Sequence, residues 1–267
     1  MCAVYAFMRH ADDLADDEQL PREDRLEQSR RWLEEWHRAA AGESTGNPVF
    51  VALRDTQQRF GISTELLDQL VQGTMLDLTT PASATEIATY RAFDDLYRYC
   101  YLVASVVGLV CIRIFGYSDS RAESLAEQTG IAFQLTNIVR DVREDAERGR
   151  VYLPLDDLEQ FHLTPEYFTG RHSRQKLTAG ERGVLQVETS RAREYYRSAD
   201  KLIPLISPDS RAALWVLVTI YRRLLQRIEQ AHYEVFAERV SVPTLEKLWI
   251  LARGLCMALR LRLVQKS

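Results

Sequence analysis

The stretch "QLTNIVRDVREDAERGR", residues 134–150, sets Asn137, Asp141 and Asp145 four residues apart. On a helix such positions lie ~40° apart around the axis and ~6 Å apart along it, so the three side chains make one ladder of oxygens. The opposite face is apolar, with Ile131, Leu135, Ile138, Val139 and Val142 at helical spacing. Stacked carboxylates repel and require positive compensation. Arg140 and Arg143 supply part of it, and a divalent cation would supply more. Carboxylate and amide oxygens suit Mg²⁺, which keeps several waters and takes one or two protein carboxylates plus substrate phosphates. "HADDLADDE" repeats the geometry, with Asp12 and Asp16 four apart and Arg9 one turn earlier. Either cluster alone reads as a solvated charged face. Two of them, each on a helix with an apolar face and an arginine within a turn, read as two metal-carboxylate walls of a pocket in which Mg²⁺ would bridge a diphosphate.

The segment 93–115 offers a third wall. In "YCYLVASVVGLV" the small residues Ala104, Ser105 and Gly108 stand among branched ones. They serve either close helix packing or a groove wide enough for a long hydrocarbon. Tyr99, one turn before Val103, would bring a hydroxyl to the mouth of that groove.

Helices must hold all of this. Periodicity predicts them over 3–14, 22–41, 49–60, 65–78, 93–115, 120–147, 178–205, 210–238 and 243–264, with "TTPASAT" a loop, no convincing strand and no repeat. Gly (12) and Pro (8) are sparse for 267 residues, which favours long helices, and no Pro/Gly/Ser-rich linker divides the chain. The expectation is one all-α domain over 1–267. A net charge of -4 argues against nucleic acid as a partner. Cys2, Cys100, Cys111 and Cys256 form no CxxC pair and read as reduced, packed thiols. The longest apolar run, 101–112, is too short to span a bilayer, and no signal peptide stands at the start. The expected location is the cytoplasm, with peripheral contact at the membrane surface. No glycine-rich dinucleotide fingerprint follows a strand, so no nicotinamide site is expected from the motifs.

These residues resemble the squalene/phytoene synthase family, the head-to-head trans-prenyl synthases. "YAFMRHADDLAD" is similar to its first Asp-rich motif and "DLYRYCYLVASVVG" to its tyrosine-bearing helix. "QLTNIVRDVREDAERGRVYLP" looks like its second Asp-rich motif, and "IYRRLLQRIEQAHYEVFAERV" like the late segment that helps close the diphosphate site. The resemblance implies an isoprenoid synthase helical fold with a central apolar pocket, and prenyl diphosphate substrates bound through Mg²⁺. Carried over, Asp12 and Asp16 would hold metal on one side, and Asn137, Asp141 and Asp145 on the other. Arg9, Arg140 and Arg239 would bind diphosphate oxygens, Gln134 would line the reacting centre, Tyr99 would assist proton transfer and Tyr221 would be a second pocket tyrosine.

"FDDLYRYCYLVASVVGL" looks like the bacterial presqualene-forming branch. The expected reaction is therefore condensation of two farnesyl diphosphates to presqualene diphosphate or a squalene-type C30 product, with NADPH entering only for a later reduction. The alternative is phytoene synthesis from two geranylgeranyl diphosphates. Relatives in the resembled family carry a helical segment before the first Asp-rich helix, so an N-terminal segment is expected to be missing here. A remote alternative is a di-iron carboxylate bundle, because ExxH occurs at Glu34/His37, Glu159/His162 and Glu229/His232.

Overall fold

The computed structural model describes the backbone of residues 1–17, 19–79, 87–170 and 176–266, and the side chains of those up to residue 260. Among them the helices run α1 Cys2–Asp16, α2 Arg22–Ala40, α3 Pro48–Phe60, α4 Thr64–Thr79, α5 Phe93–Cys100, α6 Val106–Phe115, α7 Arg121–Glu147, α8 Leu155–Gln160, α9 Glu166–Thr169, α10 Ala179–Leu202, α11 Pro208–Gln230 and α12 Thr244–Lys266. The all-α architecture is as the periodicity predicts. One departure is a parallel pairing of two short strands, β1 Ala88–Thr89 and β2 Arg150–Val151. Two residues are too few for an alternation to show in the sequence. The "TTPASAT" loop lies, apart from Thr79, outside the described residues.

The face that α1 buries fixes the face that it offers. Val4, Phe7, Ala11 and Ala15 form its buried stripe. Phe7 packs in an aromatic cluster, 5.8 Å from Trp32 and 5.7 Å from Trp36, and Trp32 lies 4.4 Å from Phe50. With that stripe clamped against α2 and α3, Met8, Asp12 and Asp16 point another way, toward α4 and α5.

Helix α7 is the central post and packs against α10, α6, α5 and α11. Its buried residues include Ile131, Leu135, Ile138, Val139 and Val142, as the apolar pattern requires. The approach of the helix that crosses it is set by glycine. Between α5 and α6 the helix opens into a π turn, Tyr101–Ser105, where the Val106 N–H donates to the Tyr101 carbonyl five residues back. Gly130 of α7 meets the backbone of this turn so closely that a Cβ would lie 2.5 Å from Ser105 Cα. On the other side, a Cβ on Gly73 of α4 would lie 2.7 Å from the Leu102 carbonyl oxygen. Ser105 is buried and donates to the Glu127 carbonyl at 2.6 Å. Ser105 thus serves close packing against α7, and Gly108 makes an ordinary contact there. The apolar lining described below comes instead from Leu102, Val103 and Val107.

Several boundaries differ from the sequence expectation. Helix α10 stops at Leu202 and tightens into a 3₁₀ turn, Ile203–Leu205, at Pro204. Helix α11 ends at Gln230 and not at 238. A turn with His232 and Tyr233 in the left-handed region, φ 52° and 64°, folds the chain back. It buries Val235 and Phe236, and Arg143 Nη1 donates to the Phe236 carbonyl at 3.0 Å. "GRVYLPLDDL" breaks α7 as expected, but it leads into β2 and α8. The continuous helical run Phe93–Phe115 is, by length and composition, long and apolar enough to cross a bilayer, which corrects the expectation that no segment is. Here it packs between α4 and α7. All four cysteines are free, and Cys100 is buried, but Cys2 and Cys256 are exposed and so are not the packed thiols expected.

The glycine contacts generate a paired test. Gly130→Ala forces a methyl into the Ser105 backbone and is expected to cost about 1–3 kcal/mol. Gly108→Ala meets only an ordinary contact, 3.4 Å from the Ala126 carbonyl, and should be neutral or slightly stabilising through helix propensity. Urea midpoints of the two variants check this, and equal midpoints would refute the close-approach argument.

Candidate active site

Helices α1, α4 and α5, with the π turn, enclose a cavity of about 280 Å³. Asp12 and Asp16 stand on its α1 side and Asp77 on its α4 side, while Leu102, Val103 and Val107 make its apolar wall. Tyr99 sits at the boundary between the two characters. Its ring stacks on Tyr152 with centroids 4.8 Å apart. The Tyr152 hydroxyl donates to Asp77 Oδ1 at 3.0 Å. Arg150 closes the chain with an ion pair to Asp77 Oδ2 at 3.0 Å. Burial, with Tyr152 and Asp77 adding to it, drives the Tyr99 hydroxyl far above the ordinary phenol range.

The second stripe is held by cations. Arg140 grips Asp141 with both Nε, at 2.7 Å, and Nη2. Arg239 approaches the same carboxylate from beyond α11, with Nε at 3.0 Å and Nη2 at 2.8 Å from Oδ1. Burial raises Asp141, but the two guanidiniums outweigh it and hold the carboxyl below its ordinary range. Asp145, one turn on, has no such partner. Burial, then the charges of Asp141 and Asp77, push it up to about 7. Asn137 donates Nδ2 to Gln134 Oε1 at 3.4 Å, while its Oδ1 is buried with no hydrogen-bond partner among the described residues. On α1, burial and the neighbouring Asp16 raise Asp12 as well.

Of the residues singled out from sequence, Asp12, Asp16 and Tyr99 line this cavity, and the α7 stripe is linked to it through Asp77, which sequence reasoning missed. Asp77 lines the cavity beside Asp12 and Asp16, bonds Tyr152, and contributes to the field at Asp145. The available signal was an acid in apolar "GTMLDL", four residues after Gly73. Tyr152 stands inside the second Asp-rich motif, but nothing in the motif singles it out. Arg9 stands beside Asp12, whose charge it favours. It is exposed and turns to Asp13 at 2.6 Å, the ordinary i,i+4 choice on a solvent face. Tyr221 is half-buried and stacks on Phe133 at 4.4 Å.

The ExxH pairs do not converge. His37 bonds Asp68 at 2.8 Å, Glu159 pairs with Arg91 at 3.0 Å, and Glu229 pairs with Arg193. Among the described residues no three His, Cys, Asp or Glu side chains form a closed metal cage. An open set of oxygens is what a cation shared with a phosphate ligand uses. The orphaned Asn137 oxygen and the desolvated carboxyl of Asp145 fit such an ion.

The model of the family described as squalene/phytoene synthase matches residues 1–246. The chain belongs to this family. It is 35% identical to a phytoene synthase of Arthrospira platensis over 93% of this chain and 81% of that protein. Among solved structures it is similar to the squalene synthase HpnC from Alicyclobacillus acidocaldarius, with 31% identity, a TM-score of 0.76 and coverage of 86% and 82% of the two chains. A ligand-bound dehydrosqualene synthase superposes with a TM-score of 0.80 at 28% identity, over 94% of this chain and 83% of that one. Squalene/phytoene synthase family members are prenyltransferases that join two prenyl diphosphates head to head, and this chain is an enzyme of that class.

The environment of Asp145 gives a pH test. Its proton is held up to about 7 in the folded chain, but leaves near ~4 when unfolded. Across that window the folded state binds more protons, so stability falls as pH rises from ~4 to ~7. Asp145→Asn removes this titration. In EDTA, the variant should show a flatter urea midpoint through the window and exceed the wild type above about pH 7. Parallel curves for the two proteins would mean that Asp145 ionises normally.

Proposed function

We propose that this prenyltransferase condenses two geranylgeranyl diphosphates to a phytoene-type C40 hydrocarbon. The carrying observation is a cleft with carboxylates on two facing sides and an apolar floor, in a chain 35% identical to a phytoene synthase. Such a cleft matches a substrate with a diphosphate at one end and a hydrocarbon at the other. The sequence alone leaned to farnesyl diphosphate, and the curated relatives favour the C20 alternative. The C15 reading stands second, supported by the structural likeness to squalene and dehydrosqualene synthases.

Asp12 and Asp16 on one side, and Asn137, Asp141 and Asp145 on the other, would hold Mg²⁺. When bound, the ion supplies positive charge to the diphosphate leaving group. The chain's own residues do the rest. Arg140 and Arg239 already surround one carboxylate, and their donors can pass to diphosphate oxygens as an allylic C–O bond breaks. Gln134 lies beside Asn137 at the reacting end. Leu102, Val103 and Val107 keep water from the carbocation. The C2–C3 alkene of the second substrate attacks, and loss of a proton closes a cyclopropane. Over the full C40 route two diphosphates and two protons leave and no reductant is consumed, so NADPH has a place only if a squalene-type product is made.

Product analysis with Mg²⁺ and each diphosphate separately tests the reading. The expected result is a C40 hydrocarbon from geranylgeranyl diphosphate without NADPH. A larger kcat/KM with farnesyl diphosphate would transfer the assignment to the C15 reading. Asp16→Ala and Asp141→Ala should keep the wild-type circular dichroism and lose about 10²–10³-fold in turnover. Wild-type activity that survives EDTA would sink the metal assignment.

A further inference from the structure

Helix α12 is apolar on both its inner and its outer face. Inward, Ile250 and Gly254 pack on α11, so closely that a Cβ on Gly254 would collide with the Val216 side chain. The outer face of a helix on a water-soluble protein is ordinarily polar. Here Leu245, Leu248, Trp249, Leu255 and Leu259 stand on it, 53–82% exposed. Their spacing puts them on one stripe ~20 Å long. Scattered exposed leucines are unremarkable, whereas a contiguous stripe marks an interaction surface.

The charge beside the stripe says what covers it. Lys247, Arg253 and Arg260 have no carboxylate at ion-pair distance among the described residues, while the one acid near them on α12, Glu246, is turned inward to Arg223 at 3.0 Å and Arg227 at 2.5 Å. The guanidinium of Arg253 lies 5.4 Å from the Trp249 ring and 5.6 Å from that of Trp215. A chain of net charge -4 thus presents a locally cationic rim along its most apolar exposed helix. Leucines flanked by tryptophan and unpaired cations are the composition of a helix lying in a bilayer interface. A second copy is a poorer occupant. Antiparallel pairing about a two-fold axis through the middle of the stripe would bring Arg253 beside the copy's Arg253.

We propose that the outer face of α12 docks the protein on an anionic lipid bilayer. The proposal rests on the prenyltransferase reading in one respect, that an insoluble hydrocarbon product must be passed to a lipid phase. Stripe leucines would enter the acyl boundary, with Trp249, Arg253 and Arg260 at the headgroup level.

Vesicle co-sedimentation of the full chain tests this, using phosphatidylcholine alone and phosphatidylcholine mixed with phosphatidylglycerol. Wild type should bind the mixed vesicles and shift its tryptophan emission to the blue, a shift that Trp249→Phe reduces. The L248E/L255E variant should lose at least about tenfold in vesicle affinity, yet keep its circular dichroism and its turnover of detergent-dispersed substrate. R253Q/R260Q should lose the preference for anionic vesicles. Wild type that binds neither vesicle, or L248E/L255E that binds as well as wild type, would overturn the proposal. So would a wild-type dimer, seen by light scattering, that L248E/L255E dissolves and that ignores vesicles. The vesicles carry no prenyl diphosphate, so failure of docking leaves the condensation reading standing, and failure of condensation leaves the docking result readable.

Discussion

Carboxylates can crowd into a half-buried cleft only if something else carries their charge. Two unit charges ~6 Å apart at an effective dielectric near 20 repel by about 3 kcal/mol; the cavity gathers Asp12, Asp16 and Asp77, and Asp145 feels both Asp77 and Asp141. The protein neutralises part of this. Arg140 and Arg239 share Asp141, and Arg150 holds Asp77. What they leave is a deficit on particular atoms. Asp145 is pushed up to about 7, Asp12 is raised, and the Asn137 oxygen has no donor. The uncompensated groups lie on both α1 and α7, so a ligand that relieves them is cationic, or brings cations with it.

Maintaining that arrangement demands rigid supports, which is why the oxygens stand on core helices and not on loops. Each face of α7 has its own task. Ile131, Leu135, Ile138 and Val142 anchor it, Gly130 admits the π turn, and the 137/141/145 stripe carries oxygens, of which Asp145 feels the charge of Asp77 on α4. The glycine contacts at 73 and 130 hold the π turn from two sides. Tyr99, on the helix that ends in this turn, is thereby set between the carboxylates and the apolar lining. A shift of that helix would move the tyrosine and the hydrocarbon wall together.

The helical fold and both carboxylate stripes were legible because local periodicity carries them: four-residue spacing names a face without any knowledge of neighbours. What was not legible depended on contacts far apart in sequence. Asp77 matters because α4 lies against α1 and α5, and nothing in "GTMLDL" announces that. Tyr152 meets Tyr99 across 53 positions and Asp77 across 75. The small residues at 105 and 108 could have meant a groove or close packing, and at 105 the distances to α7 decide for packing. The end of α11 was misplaced because residues 231–238 keep a helix-compatible composition, while the turn at His232 and Tyr233 is imposed by burial of Val235 and Phe236.

The stacked tyrosines bear on where protons go in the proposed reaction. A general base needs a lone pair directed at the substrate and an affinity for protons near the working pH. Tyr99 stays neutral, and the proton of Tyr152, on which its ring stacks, is committed to Asp77. Converting Tyr99 to a phenolate in this buried place is strongly opposed by burial and by the negative charge of Asp77. Its side chain nevertheless lines the cavity, where a neutral hydroxyl is a fixed dipole. Tyr99 is therefore suited to stabilise a carbocation as a fixed dipole rather than to remove its proton. In the proposed reaction the proton acceptor would then be an anion that the reaction itself creates, the departing diphosphate, which Arg140 and Arg239 would hold.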